Sequence, residues 1–213
     1  MRYYIADCHF FHEALNREMD HRGFASVEEM NEYMIKRWNE KVRNRDEVVI
    51  LGDLSMGNAE QTNALLDRLQ GKLFLIVGNH DNRYLRSKIF HKERFGWIYS
   101  YAELHDDGRK VVLSHYPIAC YNGQYLKNKK GEPRTYMLYG HVHDSHDERL
   151  IEQYQQMVEK TRIPDRDGGT QALSSHMINC FCMYSDYQPL SLDEWIALTK
   201  QRLIRCQNVE DSL

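Results

Sequence analysis

Proline is scarce in this chain, at four residues of 213, and glycine numbers only twelve, which excludes collagen-like and low-complexity architectures. Cysteine is sparse and odd in number: Cys8, Cys120, Cys180, Cys182 and Cys206 are scattered, with no CxxC pair. That usage argues against a secreted disulfide framework and against a structural zinc module, which closes with thiolates. No apolar run approaches the roughly 20 residues a spanning helix needs. The opening run is broken by Asp7 and His9, so it reads neither as a signal segment nor as a membrane span. The expectation is a cytoplasmic protein without a membrane partner. Excess charge is absent as well. With 28 basic and 31 acidic residues the net charge is −3, which gives no global field for polyanions and no sign of a duplex nucleic-acid partner.

What the chain does contain is ordinary for a globular protein, 42% hydrophobic and 28% charged. Short apolar runs at 2–6, 48–51, 73–77, 111–114 and 137–139 read as buried strands. Between them, Ser26 with Glu29 opens a helix through 39, and a second helix is expected from Asn58 to Gly71. Farther on, 145–161 has the periodicity of an exposed amphipathic helix and 164–170 is turn-rich. Residues 177–184 read as a further strand, on which Cys180 and Cys182 would share one face. Ser191 with Glu194 caps a last helix to about 203. Without an internal repeat or a cutting linker, 1–213 reads as a single α/β domain.

The ends of the expected strands are the specific part. They run out into Asp7-Cys8-His9, Gly52-Asp53, Gly78-Asn79-His80-Asp81, Ser114-His115 and Gly140-His141-Val142-His143. Open α/β sheets gather ligands at this edge. Two carboxylates, an amide oxygen and several imidazoles form a mixed O/N donor set that suits Mn, Fe, Zn or Ni better than Ca or Mg. Asp7 and His9, like His141 and His143, are two apart, so an extended backbone would send both members of a pair to one side. Neither pair has the i, i+4 spacing of a helical metalloprotease motif. Glycine before Asp53, Asn79 and His141 permits close backbone approach.

The ordered set D-x-H, GD, GNHD, a lone H and GHxH resembles the calcineurin-like metallophosphoesterase superfamily, and 177–195 resembles the closing strand and helix of its compact bacterial and phage members. The resemblance implies a four-layer αββα sandwich of two mixed β-sheets flanked by helices. It implies two divalent ions, with Mn²⁺ foremost: one held by Asp7, His9 and His143, the other by Asn79, His115 and His141, and Asp53 bridging. The activity implied is phosphodiester or phosphomonoester hydrolysis by a bridging hydroxide. His80 would contact phosphate or protonate the leaving group, and Asp81 would fix its imidazole tautomer. Nucleotide pyrophosphate hydrolysis or nuclease activity would use the same centre. A metal-free scaffold on this fold is disfavoured because every ligand position is filled.

For the substrate, a small phosphorylated molecule such as a nucleotide, four contacts are expected. His12 lies three residues past His9, and Arg22 could grip phosphate bidentately. Lys127 and Lys129 belong to the basic, tyrosine-bearing segment 121–134, which reads as a flap over the site. His91, His105, His146 and His176 read as surface or packing residues. After Asp53 the chain continues Leu54-Ser55-Met56-Gly57, leaving no neighbouring carboxylate to support the ligands.

Overall fold

The computed structural model describes residues 1–165 and 168–210, with side chains to 204, so Cys206 lies outside the described side chains. From the amino terminus the elements are β1 (Arg2–Ile5), a π-helical turn (Leu15–Met19), α1 (Val27–Lys41), β2 (Glu47–Ile50), α2 (Ala59–Arg68), β3 (Lys72–Ile76) and α3 (Asn82–Leu85). There follow β4 (Phe95–Tyr99), β5 (Tyr101–Asp106), β6 (Arg109–Ser114), β7 (Thr135–Tyr139) and α4 (His146–Lys160). Then come β8 (Arg162–Pro164), β9 (Thr170–Ala172), β10 (Met177–Asn179) and α5 (Leu192–Glu210).

Helix starts follow the capping chemistry of the sequence. Ser26 accepts from the Glu29 amide, and Asn58 with Gln61 forms a reciprocal capping box. The parallel strands are three to six residues long and mostly buried, apart from the edge strand β4. Strands β1-β2-β3-β4 form one parallel sheet, and β10-β7-β6-β5 form a second in which only β5 is antiparallel.

Strand alternation then sorts the side chains. Tyr4, Val49 and Ile76 of the first sheet meet Val111, Leu138 and Ile178 of the second in a shared core. Their sequence neighbours Ile5, Val48 and Leu75 face outward onto Met34 and Trp38 of α1 and Leu65 of α2. On the other side, Val112, Met137 and Tyr139 face Ile151 and Tyr154 of α4. The result is an α/β sandwich of helices, sheet, sheet and helix. Trp195 of α5 is fully buried in the inter-sheet core and donates its indole N–H to the Tyr4 carbonyl (2.9 Å). Among the described residues no helix is long and apolar enough to cross a membrane.

Two expectations need correction. The strand expected over 177–184 ends at Asn179, and a 3₁₀ turn at Cys182–Ser185 follows. Cys180 and Cys182 therefore do not share a face: one joins the inter-sheet core and the other packs with the helices outside the first sheet. The strands β4 and β5, with no continuous apolar run, were not marked by periodicity. Gly96 lies inside β4, and β5 alternates between exposed and half-buried residues.

Candidate metal centre

Because β1, β2, β3, β6 and β7 all point the same way, their carboxyl-end loops meet on one rim. The chain turns there under strain. Asp7, His9, Asp53, His141 and His143 all have left-handed backbone, φ between 48° and 73°. Such conformations cost on the order of 1–3 kcal/mol each, although Asp and His tolerate them better than most residues. The two-residue spacing of Asp7 and His9, and of His141 and His143, thus works through left-handed turns and not through an extended backbone. Gly78 is required for packing: a Cβ there would sit 2.2 Å from Asp53 Oδ1.

The turns bring seven side chains together in two groups. Asp7, His9 and His143 can each offer a ligand atom within 4.8 Å of one another, and so can Asp53, His115 and His141. Asp53 spans both, with Oδ2 lying 3.6 Å from His9 Nε2 and 3.5 Å from His115 Nε2. Asn79 Oδ1 lies 3.1 Å from His115 Nε2.

The donor set fits metal cations. His115 commits its Nδ1 proton to the Leu51 carbonyl (2.8 Å), so in the neutral ring Nε2 is a lone pair facing the oxygens of Asn79 and Asp53. His143 gives its Nδ1 proton to Asp20 (2.8 Å), and its Nε2 faces His9 Nε2 at 3.2 Å. Lone pairs converging in this way demand a cation at their focus. Without a metal, protons take that role. Burial works against charge on His115, but the hydrogen bond and charges of Asp53 and Asp7 outweigh it and raise its pKa to about 9. Burial likewise opposes ionisation of Asp53, yet His115 and His9 hold it down to about 2. Asp7, fully enclosed, is pushed up to about 6 by burial, against the pull of His143 and His115. Its oxygens accept from the His141 amide (2.9 and 3.0 Å).

The other expected site residues divide. His80 lines the same cavity, its Nε2 3.9 Å from Asp53 Oδ2 and its amide donating to Asp53 Oδ1 (2.8 Å). His12 also lines the cavity and accepts the Leu15 amide at Nδ1 (3.3 Å), which leaves Nε2–H free to donate.

Asp81 does not orient His80. Its buried carboxylate accepts from the amides of Asp53, Leu54 and Gly78 and from the Tyr84 hydroxyl, at 2.6–2.9 Å, so it holds the β2 and β3 loops together. Arg22 does not line the cavity. Its side chain has 0% exposure and is spent on Asp20 and on the carbonyls of Asp7 and Cys8.

Lys127 and Lys129 lie in a turn just before β7, tied by the Lys127–Pro133 bridge and by Arg134 donating to Leu126. This turn is at the amino end of a five-residue strand, about 16 Å from the carboxyl-end rim, so 121–134 is no flap over it. Missing from the sequence-based expectations were Asp20 and the supporting role of Asp81. Carboxylate support does exist, but it comes from outside the segment that follows Asp53. The folded segment before α1, which places Asp20 on His143, has no spacing rule that would have marked it.

A rim of convergent Asp, Asn and His ligands on a two-sheet sandwich defines a candidate dinuclear metallohydrolase centre. Sequence comparison agrees: the calcineurin-like phosphoesterase family model matches residues 3–194, and the chain belongs to that family. An uncharacterized protein of Methanocaldococcus jannaschii is 31% identical over 209 residues, covering 97% of this chain and 96% of that one. The gene 66 protein of Mycobacterium phage L5 is 28% identical over 167 residues, covering 66% of this chain and 76% of the phage protein. A crystal structure of an Aquifex aeolicus protein of unknown function shares the fold, with a TM-score of 0.63, 23% identity and coverage of 93% of this chain and 98% of that one.

Proposed function

We propose that the protein is a two-metal phosphodiesterase acting on a small phosphorylated substrate, with Mn²⁺ as its working metal. The observation carrying this reading is the position of Asp53, one carboxylate oxygen within 3.6 Å of imidazoles from both ligand groups. Asp7, His9 and His143 would hold one ion and Asn79, His115 and His141 the other, with Asp53 shared. Bound divalent ions would supply Lewis-acid charge for the phosphoryl oxygens and make water acidic enough to attack near neutral pH.

The chain's own groups do the rest. Asp7 and Asp53 would offset the repulsion between two bound cations. His80, 42% exposed beside Asp53, is placed to donate to a phosphoryl oxygen or to protonate the departing alkoxide. His12 Nε2–H offers a second donor. Preference for a monoanionic diester follows from charge: among the described residues lining the cavity none is Lys or Arg, whereas Asp20, Asp144 and Asp147 are present. A dianionic monoester or a polyphosphate would find no fixed cationic side chain to balance its extra charge.

The test is a comparison of kcat/KM for bis(p-nitrophenyl) phosphate and p-nitrophenyl phosphate in Mn²⁺ and after chelation. Metal-dependent turnover favouring the diester is expected. Equal or greater monoester efficiency would overturn the diester preference, and hydrolysis indifferent to chelation would overturn the metal mechanism.

A further inference from the structure

Asp20 and Arg22 form a buried ion pair next to one ligand group and not the other. Arg22 donates through Nε (3.1 Å) and Nη2 (2.9 Å) to Asp20 Oδ2. Its other contacts run to the metal-binding loop, Nη1 to the Cys8 carbonyl (2.7 Å) and Nη2 to the Asp7 carbonyl (3.1 Å). The remaining Asp20 oxygen, Oδ1, takes the Nδ1 proton of His143 (2.8 Å). The pair thus holds the backbone between the strained residues Asp7 and His9 and, from the opposite side, sets the tautomer and ring direction of His143. A charged pair this deeply buried, with side-chain exposures of 0% and 8%, persists only when its hydrogen bonds are nearly all satisfied, as they are here.

The side chains of the second group take their orientation from other partners, although the loops touch: the His141 amide donates to Asp7, and the Asp7 and His9 amides donate to the Gly52 and Asp53 carbonyls. His115 is oriented by the Leu51 carbonyl, and the Asp53 loop by Asp81. Among the described residues, the side-chain hydrogen bonds of Asp20 and Arg22 reach neither His115 nor the Asp53 loop.

We propose that Asp20 and Arg22 are a positioning couple for a single metal position, the one made by Asp7, His9 and His143, so that disabling the couple turns a two-metal centre into a one-metal centre. The inference rests on the dinuclear reading above. Carboxylates that orient metal-binding histidines typically change affinity by about 10–100-fold when lost. Asp20→Asn keeps the size of the side chain but removes its charge and weakens acceptance from His143. Arg22→Lys keeps the charge but cannot fork across a carboxylate and two carbonyls.

The experiment is Mn²⁺ titration of the full chain by calorimetry, paired with electron paramagnetic resonance. Wild type is expected to take up two ions and show a spin-coupled pair. Asp20→Asn and Arg22→Lys should keep one ion at wild-type affinity and bind the other about 10–100-fold more weakly, with a six-line mononuclear spectrum at stoichiometric metal. The retained ion reports that the variant is folded. Asp20→Glu, which restores a charged acceptor, should recover part of the lost affinity. Two ions at unchanged affinity in both variants would overturn the proposal and leave the dinuclear reading standing. So would equal weakening of both ions, the mark of a general structural prop. A wild-type chain that binds no Mn²⁺ would remove the dinuclear reading and this inference with it.

Discussion

Both ends of the sheets carry dense clusters of polar residues and use them in opposite ways. At the carboxyl-end rim, left-handed turns at Asp7, His9, Asp53, His141 and His143 gather these side chains around His115, and the Nδ1 protons of His115 and His143 are committed to fixed partners. At the amino end of the second sheet, Lys127 and Lys129 stand exposed in a turn closed by the Lys127–Pro133 bridge. The lesson is that position relative to strand direction, more than composition, separates a reactive site from a solvated charged loop.

Breaking the carboxyl-end rim should have the largest consequence. Asp53→Asn removes the carboxylate common to both ligand groups, and Mn²⁺-dependent kcat/KM should fall at least about a thousandfold in a protein that still unfolds cooperatively. His80→Ala should be milder. A group that donates to the reacting phosphate is worth upwards of about 10²-fold in kcat, and a loss near that lower figure is expected, while calorimetry should still find both ions. Loss of an ion in that variant would instead make His80 a ligand.

A subtler effect belongs to the support beneath the rim. Buried Glu148 accepts from Tyr139 and from Asn179, and Asn179 also donates to the His143 carbonyl. Burial, only partly offset by Tyr139 and Arg202, pushes Glu148 up from 4.5 to about 7. An acid whose pKa is raised by folding holds its proton in the native state after the unfolded chain has released it. Stability from this group therefore falls as pH rises from 4.5 to 7 and stays lower above that range. Glu148→Gln should abolish this slope and exceed wild type at pH 8 by about 2 kcal/mol, measured by urea unfolding at pH 5 and pH 8. An unchanged difference between the two pH values would show that Glu148 is ionised at no cost. At the other end of the sheets, Lys127→Ala and Lys129→Ala should change KM less than about twofold, within the range of neutral surface substitutions. A several-fold rise in KM for either would put that turn back in contact with substrate.

Much of the rim was legible because its residues follow strands at fixed places, and GNHD or GHVH after an apolar run is a local signal. The left-handed turns were not legible, since spacing of two residues looks the same for an extended strand. Nor were the partners of Asp81, Asp20 and Arg22. Asp81 sits beside His80 in sequence but turns its carboxylate to amides 27 and 28 residues away. Arg22 has the chemistry of a phosphate ligand, and only tertiary packing reveals that its donors are used up. The edge strands β4 and β5 escaped notice because a half-exposed edge need not be apolar.

A dinuclear centre on this rim requires two cations that share Asp53. Anomalous diffraction from crystals soaked in Mn²⁺ tests it most directly. Two peaks about 3.5–4 Å apart are expected, one against Asp7, His9 and His143 and one against Asn79, His115 and His141, with Asp53 next to both. Absence of both peaks, or peaks bound by other side chains, would contradict it.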